Sequence, residues 1–365
     1  MPDVMEHAQY KTERPVFFDD PWRFYNAMLD DLALAKTSIC LETYKFGNDN
    51  IGERFRDVLT RKAREGVKVK ILIDSWGAGP SHSFFRELLQ HGGEVRFFMK
   101  IKFFWDFFTR NHRRNHRKLL LIDNNISYIG SANITGYSLN WCESVLRIAD
   151  ADLNKHFTRI FMTDFRMYKR YVFNRPELTR LIRCGDYEIL RDVPSITRQR
   201  IKKRYEKLIR NAKQRVVIET PYFLPGFLLR KAMSDAVKRG VDITVIIPLN
   251  SDVQLVDIVR GRYLGMLHKN GVNFRLFYPN NLHAKMMMVD NKVYSVGSPN
   301  FDYRSFRYQH EIILVGRDEE TVSQVKEHIA RCLDNSAPFD YEGWKNRPFM
   351  QRVFEWVFLP FRHLL

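Results

Sequence analysis

Along the chain, apolar positions alternate between two periods. Ser38 to Glu42 and Val216 to Glu219 are short β-rich runs, and Val67 to Ile73 and Val241 to Ile247 are apolar strands. Phe55 to Arg64 and Leu228 to Arg239 carry helical spacing, and each run stops at a glycine, Gly66 or Gly240, that suits a helix C-terminus. Strand and helix thus alternate, which predicts an α/β protein with helices on both faces of its sheet.

The alternation occurs twice in the same order. Ala35 to Tyr44 resembles Ala212 to Pro221, and Gly66 to Ile73 resembles Gly240 to Ile247. Gly93 to Phe98 resembles Gly271 to Phe277 with one residue inserted. Shared order and near-equal spacing point to an internal repeat rather than two unrelated units. The predicted organisation is a first repeat over 1–150, a basic, mostly helical connector over 151–214, a second repeat over 215–334 and an amphipathic tail over 335–365. In the connector, Thr197 to Lys213 reads as one helix with Ile201, Tyr205, Leu208, Ile209 and Ala212 on one face.

Each repeat also carries the same polar residues. His116 and Lys118 are followed by Asp123, then Gly130, Ser131 and Asn133. His283 and Lys285 are followed by Asp290, then Gly297, Ser298 and Asn300. Both copies fit HxK(x)4D(x)6GSxN. Leu119 to Ile122 and Met286 to Val289 read as buried strands, Asp123-Asn124 and Asp290-Asn291 as turns. The return strands then deliver Gly-Ser and Asn beside the His and Lys. An imidazole, an ammonium, a hydroxyl and an amide together suit phosphoryl binding and proton transfer. The expected catalytic residues are His116, Lys118, Asp123, His283, Lys285 and Asp290. Ser131, Asn133, Ser298 and Asn300 are expected to hold phosphate oxygens. Glu143 and Glu311 follow the two copies at nearly equal distance and are expected to orient the histidines of their own copies. Two half-sites with one histidine each need one another. No separate His, Asp or Glu cluster suggests a metal, so neither metal nor cofactor is expected.

Charge narrows the partner. The chain has 365 residues, 45% of them apolar, and a net charge of +17, so it is globular and suited to an acidic partner. The charge is concentrated. Arg96 to Lys118 carries eight basic residues against one acidic, and Arg198 to Arg215 nine against one. The four cysteines form no CxxC pair, which argues against a disulfide scaffold or a thiolate zinc site. No secretory signal and no spanning stretch is visible, so a soluble or peripheral protein is expected.

The doubled motif resembles the phospholipase D superfamily. That resemblance implies two pseudo-twofold-related α/β sandwich repeats, with mixed, mostly parallel sheets and one active site at their interface. It also implies His116 as nucleophile, His283 as general acid, a phosphohistidine intermediate, and a usually structural role for Asp123 and Asp290. Finer features are similar to bacterial cardiolipin synthases: Glu219 to Pro225, Ser251-Asp252, Gly297 to Phe306, and Trp141 followed by Glu143 and Arg147. Gln309 stands where that group commonly has Asn. The group implies transfer of a phosphatidyl unit from phosphatidylglycerol to a lipid hydroxyl. It also implies an anionic phospholipid membrane as partner, on the cytoplasmic face of a bacterial inner membrane. The chain resembles the short type without N-terminal membrane helices.

Two segments are candidates for lipid contact, the first alternatively for packing in the core or between the halves, the second alternatively for docking on its own domain. The Phe97 to Thr109 run interleaves aromatics with Lys100 and Lys102, and the Arg347 to Leu365 tail has Phe349, Val353, Trp356 and Pro360 at helical spacing, with Gln351, Glu355 and Arg362 on another face. The competing readings are a hydrolase or a nucleic-acid phosphodiesterase with the same site, and a non-catalytic membrane adaptor. The aromatic run and apolar tail weigh against nucleic acid, and the two intact motifs weigh against an adaptor.

Overall fold

The computed structural model describes residues 14–99, 112–170 and 172–360. The first half runs β1 (Val16–Phe18), α1 (Pro21–Leu34), β2 (Ser38–Thr43), α2 (Asn50–Arg64), β3 (Lys68–Asp74), α3 (Arg86–Gln90), β4 (Glu94–Phe98), β5 (Leu119–Ile122), β6 (Ile126–Gly130) and β7 (Val145–Ala149). Then come α4 (Ala151–Arg166), β8 (Ile182–Cys184), β9 (Tyr187–Asp192) and α5 (Arg200–Asn211). The second half repeats the order with β10 (Arg215–Glu219), α6 (Phe227–Lys238), β11 (Asp242–Pro248), α7 (Gln254–Lys269), β12 (Asn273–Phe277), β13 (Met286–Val289), β14 (Val293–Gly297), α8 (Tyr303–Tyr308), β15 (Glu311–Gly316) and α9 (Glu319–Asp334). β16 (Ser336–Pro338), α10 (Tyr341–Lys345) and α11 (Phe349–Phe358) follow.

Two sheets result, ordered β1-β7-β6-β5-β2-β3-β4 and β16-β12-β11-β10-β13-β14-β15-β9-β8. Both are mixed, as expected, but antiparallel pairs dominate. Among the described residues, only β2–β3 and β3–β4 pair parallel in the first, and only β10–β11 and β11–β12 in the second. The expectation of mostly parallel sheets is therefore corrected. Crossover helices make the parallel pairs, whereas β5–β6 and β13–β14 are joined by tight turns that force antiparallel pairing. Asp123, Asn124, Asp290 and Asn291 all have φ between 52° and 54°, the left-handed conformation of both central residues of a tight turn, closed by Asn125 N to Ile122 O and Lys292 N to Val289 O.

The layers follow from residue alternation. On β5, Leu120 and Ile122 join the outer core under α1, α2 and α3, while Leu119 and Leu121 face the opposite half. On β13, Met287 and Val289 pack outward with α5, α6 and α7, and Met286 and Met288 face inward. The inward faces of both sheets, with α4 and α9, form one shared core. It holds Phe157 and Phe161 from α4 and Val325 and Ile329 from α9. Burying apolar surface at about 25 cal/mol per Å² makes this layer the main force joining the halves.

The segment between the repeats is not a separate helical connector. β9 pairs antiparallel with β15, register Glu311 to Asp192, and so extends the second sheet. β16, from the expected tail, pairs with β12 at the other edge. The anticipated helix is present as α5, with Ile201, Tyr205, Leu208 and Ile209 buried. Of the aromatic run, Phe97 and Phe98 are buried on β4 and serve the core rather than a surface. The run from 100 to 109 lies outside the described residues.

Candidate active site

The two histidine segments precede β5 and β13, where single backbone bridges cross between the halves. Isolated bridges join Asn115 to His310 and Leu282 to Cys142. His116 N donates to His310 O at 3.0 Å, and His283 N donates to Cys142 O at 2.7 Å. The residue before each glutamate is thus paired with the other half's histidine segment.

That register crosses the acid–imidazole pairs. His116 Nδ1 lies 3.0 Å from Glu311 Oε1, and His283 Nδ1 lies 2.8 and 2.9 Å from the two oxygens of Glu143. Each glutamate serves the opposite half, which corrects the expectation that it serves its own. Spacing along the chain could not reveal this, because backbone pairing between halves decides it. Both rings are nearly buried. Tyr44 stands edge-on to His116 at 5.2 Å, and Trp141 packs on His283 at 5.0 Å.

The lysines close on the same centre. Lys118 Nζ donates to His116 O at 2.6 Å, and Lys285 Nζ to His283 O at 2.8 Å. Lys285 Nζ also lies 2.9 Å from His283 Nε2. Nε2 of His116 has no such partner among the described residues.

Ser131 and Ser298 were expected to hold phosphate. Instead, both hydroxyls are fully buried and donate to Glu143 Oε2 and Glu311 Oε2. They also accept from Ser144 N at 2.8 Å and Ile312 N at 3.0 Å. Their donors are spent on bracing the glutamates. Gly130 and Gly297 permit this close approach, since a Cβ there would lie 2.1 Å from Ser144 O and 2.3 Å from Ile312 O. Asn133 Oδ1 accepts from Lys45 N at 3.2 Å, and buried Asn300 Oδ1 has no partner among the described residues.

Asp123 and Asp290, expected among the catalytic groups, lie at the far ends of β5 and β13. Asp123 accepts from the backbone N–H of Lys36, Thr37 and Ser38, and Asp290 from those of Lys213, Gln214 and Arg215. Burial raises each carboxyl, but the converging N–H groups outweigh it and hold both below the usual range. The aspartates anchor the start of β2 and β10 to the hairpin turns. They touch no reacting group.

The electrostatics of the two pairs differ. Burial, with Lys118 and Lys285 nearby, holds His116 well below the usual imidazole value. Burial also pushes its partner Glu311 up to about 7. Both members of this pair therefore lean towards neutral forms. Burial lowers His283 too, but Glu143 opposes it. Glu143 itself stays below its usual range, because His283, Lys285 and Ser131 outweigh its burial. Burial brings Lys118 down to about 7 and Lys285 to about 8. A bound anion would restore both ammonium charges.

Several supporting groups were missed in the sequence. Glu42 accepts from Asn115 Nδ2 at 2.6 Å, and Asn115 N donates to Asp74 at 2.7 Å. Arg117 reaches Asp164 on α4, Asp192 O at 2.9 Å and Glu311 O at 3.2 Å, tying the first motif to the second half. Gln309, already singled out in the sequence, accepts from Ser305 Oγ at 3.2 Å beside Glu311.

Behind the site, Cys142, His328 and Cys332 come together although nothing in their spacing suggested it. Their donor set resembles a metal site, but both His328 nitrogens are engaged, by Asp19 at 2.9 Å and Glu219 at 2.8 Å. Burial alone would neutralise the ring. Glu219 and Asp19 instead raise it well above the ordinary value, so it bridges the carboxylates as a cation. A raised folded pKa stabilises fully below the unfolded value, about 6.5, and the benefit disappears as pH rises through the folded one. His328→Ala is expected to cost about 3 kcal/mol at pH 6, with a smaller deficit at pH 10, in denaturant unfolding. Equal deficits at both pH values would mean that packing alone is lost.

Two imidazoles crossed onto two buried carboxylates, with two lysines beside them and a doubled α/β sheet behind, define a phospholipase D-like enzyme. More particularly, the chain belongs to the family described as "Cardiolipin synthase, PLD-like domain", which matches residues 28–165 and 205–333. It is 31% identical over 347 residues to the major cardiolipin synthase ClsA of Bacillus subtilis (strain 168), covering 91% of this chain and 71% of that one. It is 35% identical over 313 residues to a cardiolipin synthase of Listeria welshimeri, covering 81% and 64% respectively. Among solved structures, the phosphatidylserine synthase of Haemophilus influenzae Rd KW20 superimposes with a TM-score of 0.77 over 97% of this chain and 96% of that one. At 15% identity it shows the shared fold. Among the described residues, no helix is long and apolar enough to cross a membrane.

Proposed function

We propose that this enzyme is a phosphatidyltransferase of the cardiolipin synthase type. Phosphatidylglycerol of an anionic membrane is the donor, a lipid hydroxyl is the acceptor, and the enzyme works peripherally from the cytoplasmic face. The crossed His–Glu pairs carry this reading, together with the family to which the chain belongs.

The asymmetry of the pairs supports the division of labour. His116 Nδ1 faces Glu311 at 3.0 Å, and with the ring proton held there the neutral ring keeps a free lone pair on Nε2, as a nucleophile requires. His283 faces an ionised Glu143, which favours its protonated form once an anionic phosphate enters. His116 Nε2 attacks phosphorus, the bond to the leaving glycerol oxygen breaks, and His283 delivers a proton to that oxygen. The acceptor hydroxyl then gives its proton to His283 as its oxygen attacks, and the P–N bond breaks. Lys118, Lys285 and the Asn133 and Asn300 amides serve the nonbridging oxygens.

The test is product analysis. Incubation with phosphatidylglycerol vesicles is expected to yield cardiolipin and free glycerol by mass spectrometry. Formation of phosphatidic acid alone would make the enzyme a hydrolase and overturn the transferase reading.

A further inference from the structure

The C-terminal helix is turned inside out. On α11, the fully buried residue is Glu355, whose carboxylate takes two bonds from Arg347, at 2.7 and 2.8 Å. Arg347 lies in turn over the Trp344 ring at 4.1 Å. The outward residues are Phe349, Met350, Phe354, Trp356 and Val357, each between 45% and 75% exposed. The sequence pattern placed Glu355 on a polar face away from Phe349 and Trp356; the structure puts the acid inward and the aromatics outward. A helix that ended its life in water would bury the opposite face.

The position of α11 gives this face a purpose. Phe358 and Leu359 pack on a small cluster of Leu224, Val256, Val259 and Tyr263, together with Tyr222. Tyr222 donates to Asp252 at 2.8 Å, and Leu224 N donates at 2.8 Å to the backbone oxygen of Phe301, the residue after the site amide Asn300. The cluster therefore borders the reaction centre. The first turn of α6 adjoins it through Arg230, which lies over Tyr263 at 4.9 Å, and exposes Phe227 and Leu228.

We propose that the outward face of α11, with Phe227 and Leu228, seats the enzyme on an anionic phospholipid bilayer beside the mouth of the active site. Large aromatics suit the headgroup–acyl boundary. Exposed Lys345 and Arg352 flank them, and the chain's +17 charge complements an anionic surface. A second copy of this chain would bring like charges together instead. The proposal rests on the phosphatidyltransferase reading for the choice of lipid.

The experiment compares the full chain with the double variant Phe354→Ser, Trp356→Ser. Both side chains are exposed, so an unchanged thermal midpoint is expected. Cosedimentation with phosphatidylglycerol vesicles should weaken by about tenfold, and turnover on those vesicles should fall with it. Turnover of dihexanoyl phosphatidylglycerol below its micellar concentration should not change. Undiminished vesicle binding would overturn the proposal. So would a parent that sediments as a dimer and a variant that sediments as a monomer, since a second copy would then cover the face. Weakened vesicle binding with no turnover of any lipid by the parent would support the surface and remove the reaction assigned above.

Discussion

Replacing His116 by alanine is expected to lower phosphatidyl transfer by about 10⁴-fold, and replacing His283 to lower it by about 10³-fold or more, with vesicle binding unchanged. Both losses follow from the proposed sequence of bond changes. Without His116 there is no atom to take the phosphoryl group, and direct attack by one lipid hydroxyl on another lipid must replace two easier steps. Without His283 the leaving alkoxide departs unprotonated. The two variants also separate the roles. A donor carrying nitrophenol needs little protonation to leave, so His283→Ala should still form the adduct and then release it slowly. Intact-mass spectrometry should find the phosphatidyl unit on His116. An adduct on His283 in the His116→Ala protein would reverse the assignment, and near-normal turnover in either variant would remove the shared-site mechanism.

Glu143→Gln and Glu311→Gln are expected to lower transfer by about 10²- to 10⁴-fold, each by disabling the histidine of the opposite half. A glutamine keeps the shape, removes the charge of Glu143, and at either position can donate its amide towards Nδ1, which selects the wrong tautomer. The buried serines deepen the effect, since Ser131 and Ser298 donate to these same carboxylates. Histidine-selective nitrogen labelling reads the crossing directly. Glu143→Gln should shift the His283 ring signals and leave those of His116 in place, and Glu311→Gln should do the converse. The reverse pattern would mean that each acid serves its own repeat.

Much of this was legible in the residues. The doubled motif, the strands that carry it and the α5 face all stand where the pattern placed them, because period and turn chemistry are local properties. What was not legible is non-local. Alternation along β5 says which face Leu119 presents, but not that the face meets a second sheet. The hydroxyls of Ser131 and Ser298 are equally able to bind phosphate or carboxylate, and only the tight Gly130 and Gly297 contacts decide. Asp123 and Asp290 share a motif with the histidines yet sit at the other end of a strand, so proximity in sequence misled. The balance of sheet pairing was a different matter. Each motif already contained a hairpin turn and a return strand, and counting those would have predicted antiparallel dominance.

The crossed pairs also bear on the timing of activity. His116 and Glu311 are separated by 195 residues, and Glu143 and His283 by 140. Contacts so distant form late, after local strands and helices, because closing long loops is entropically costly. A ribosome that has released only the first half has made an imidazole without its carboxylate and a carboxylate without its imidazole. The nascent chain is thus chemically silent beside its own substrate. Both pairs are in place only once β15, which carries Glu311, has joined β14 and β9.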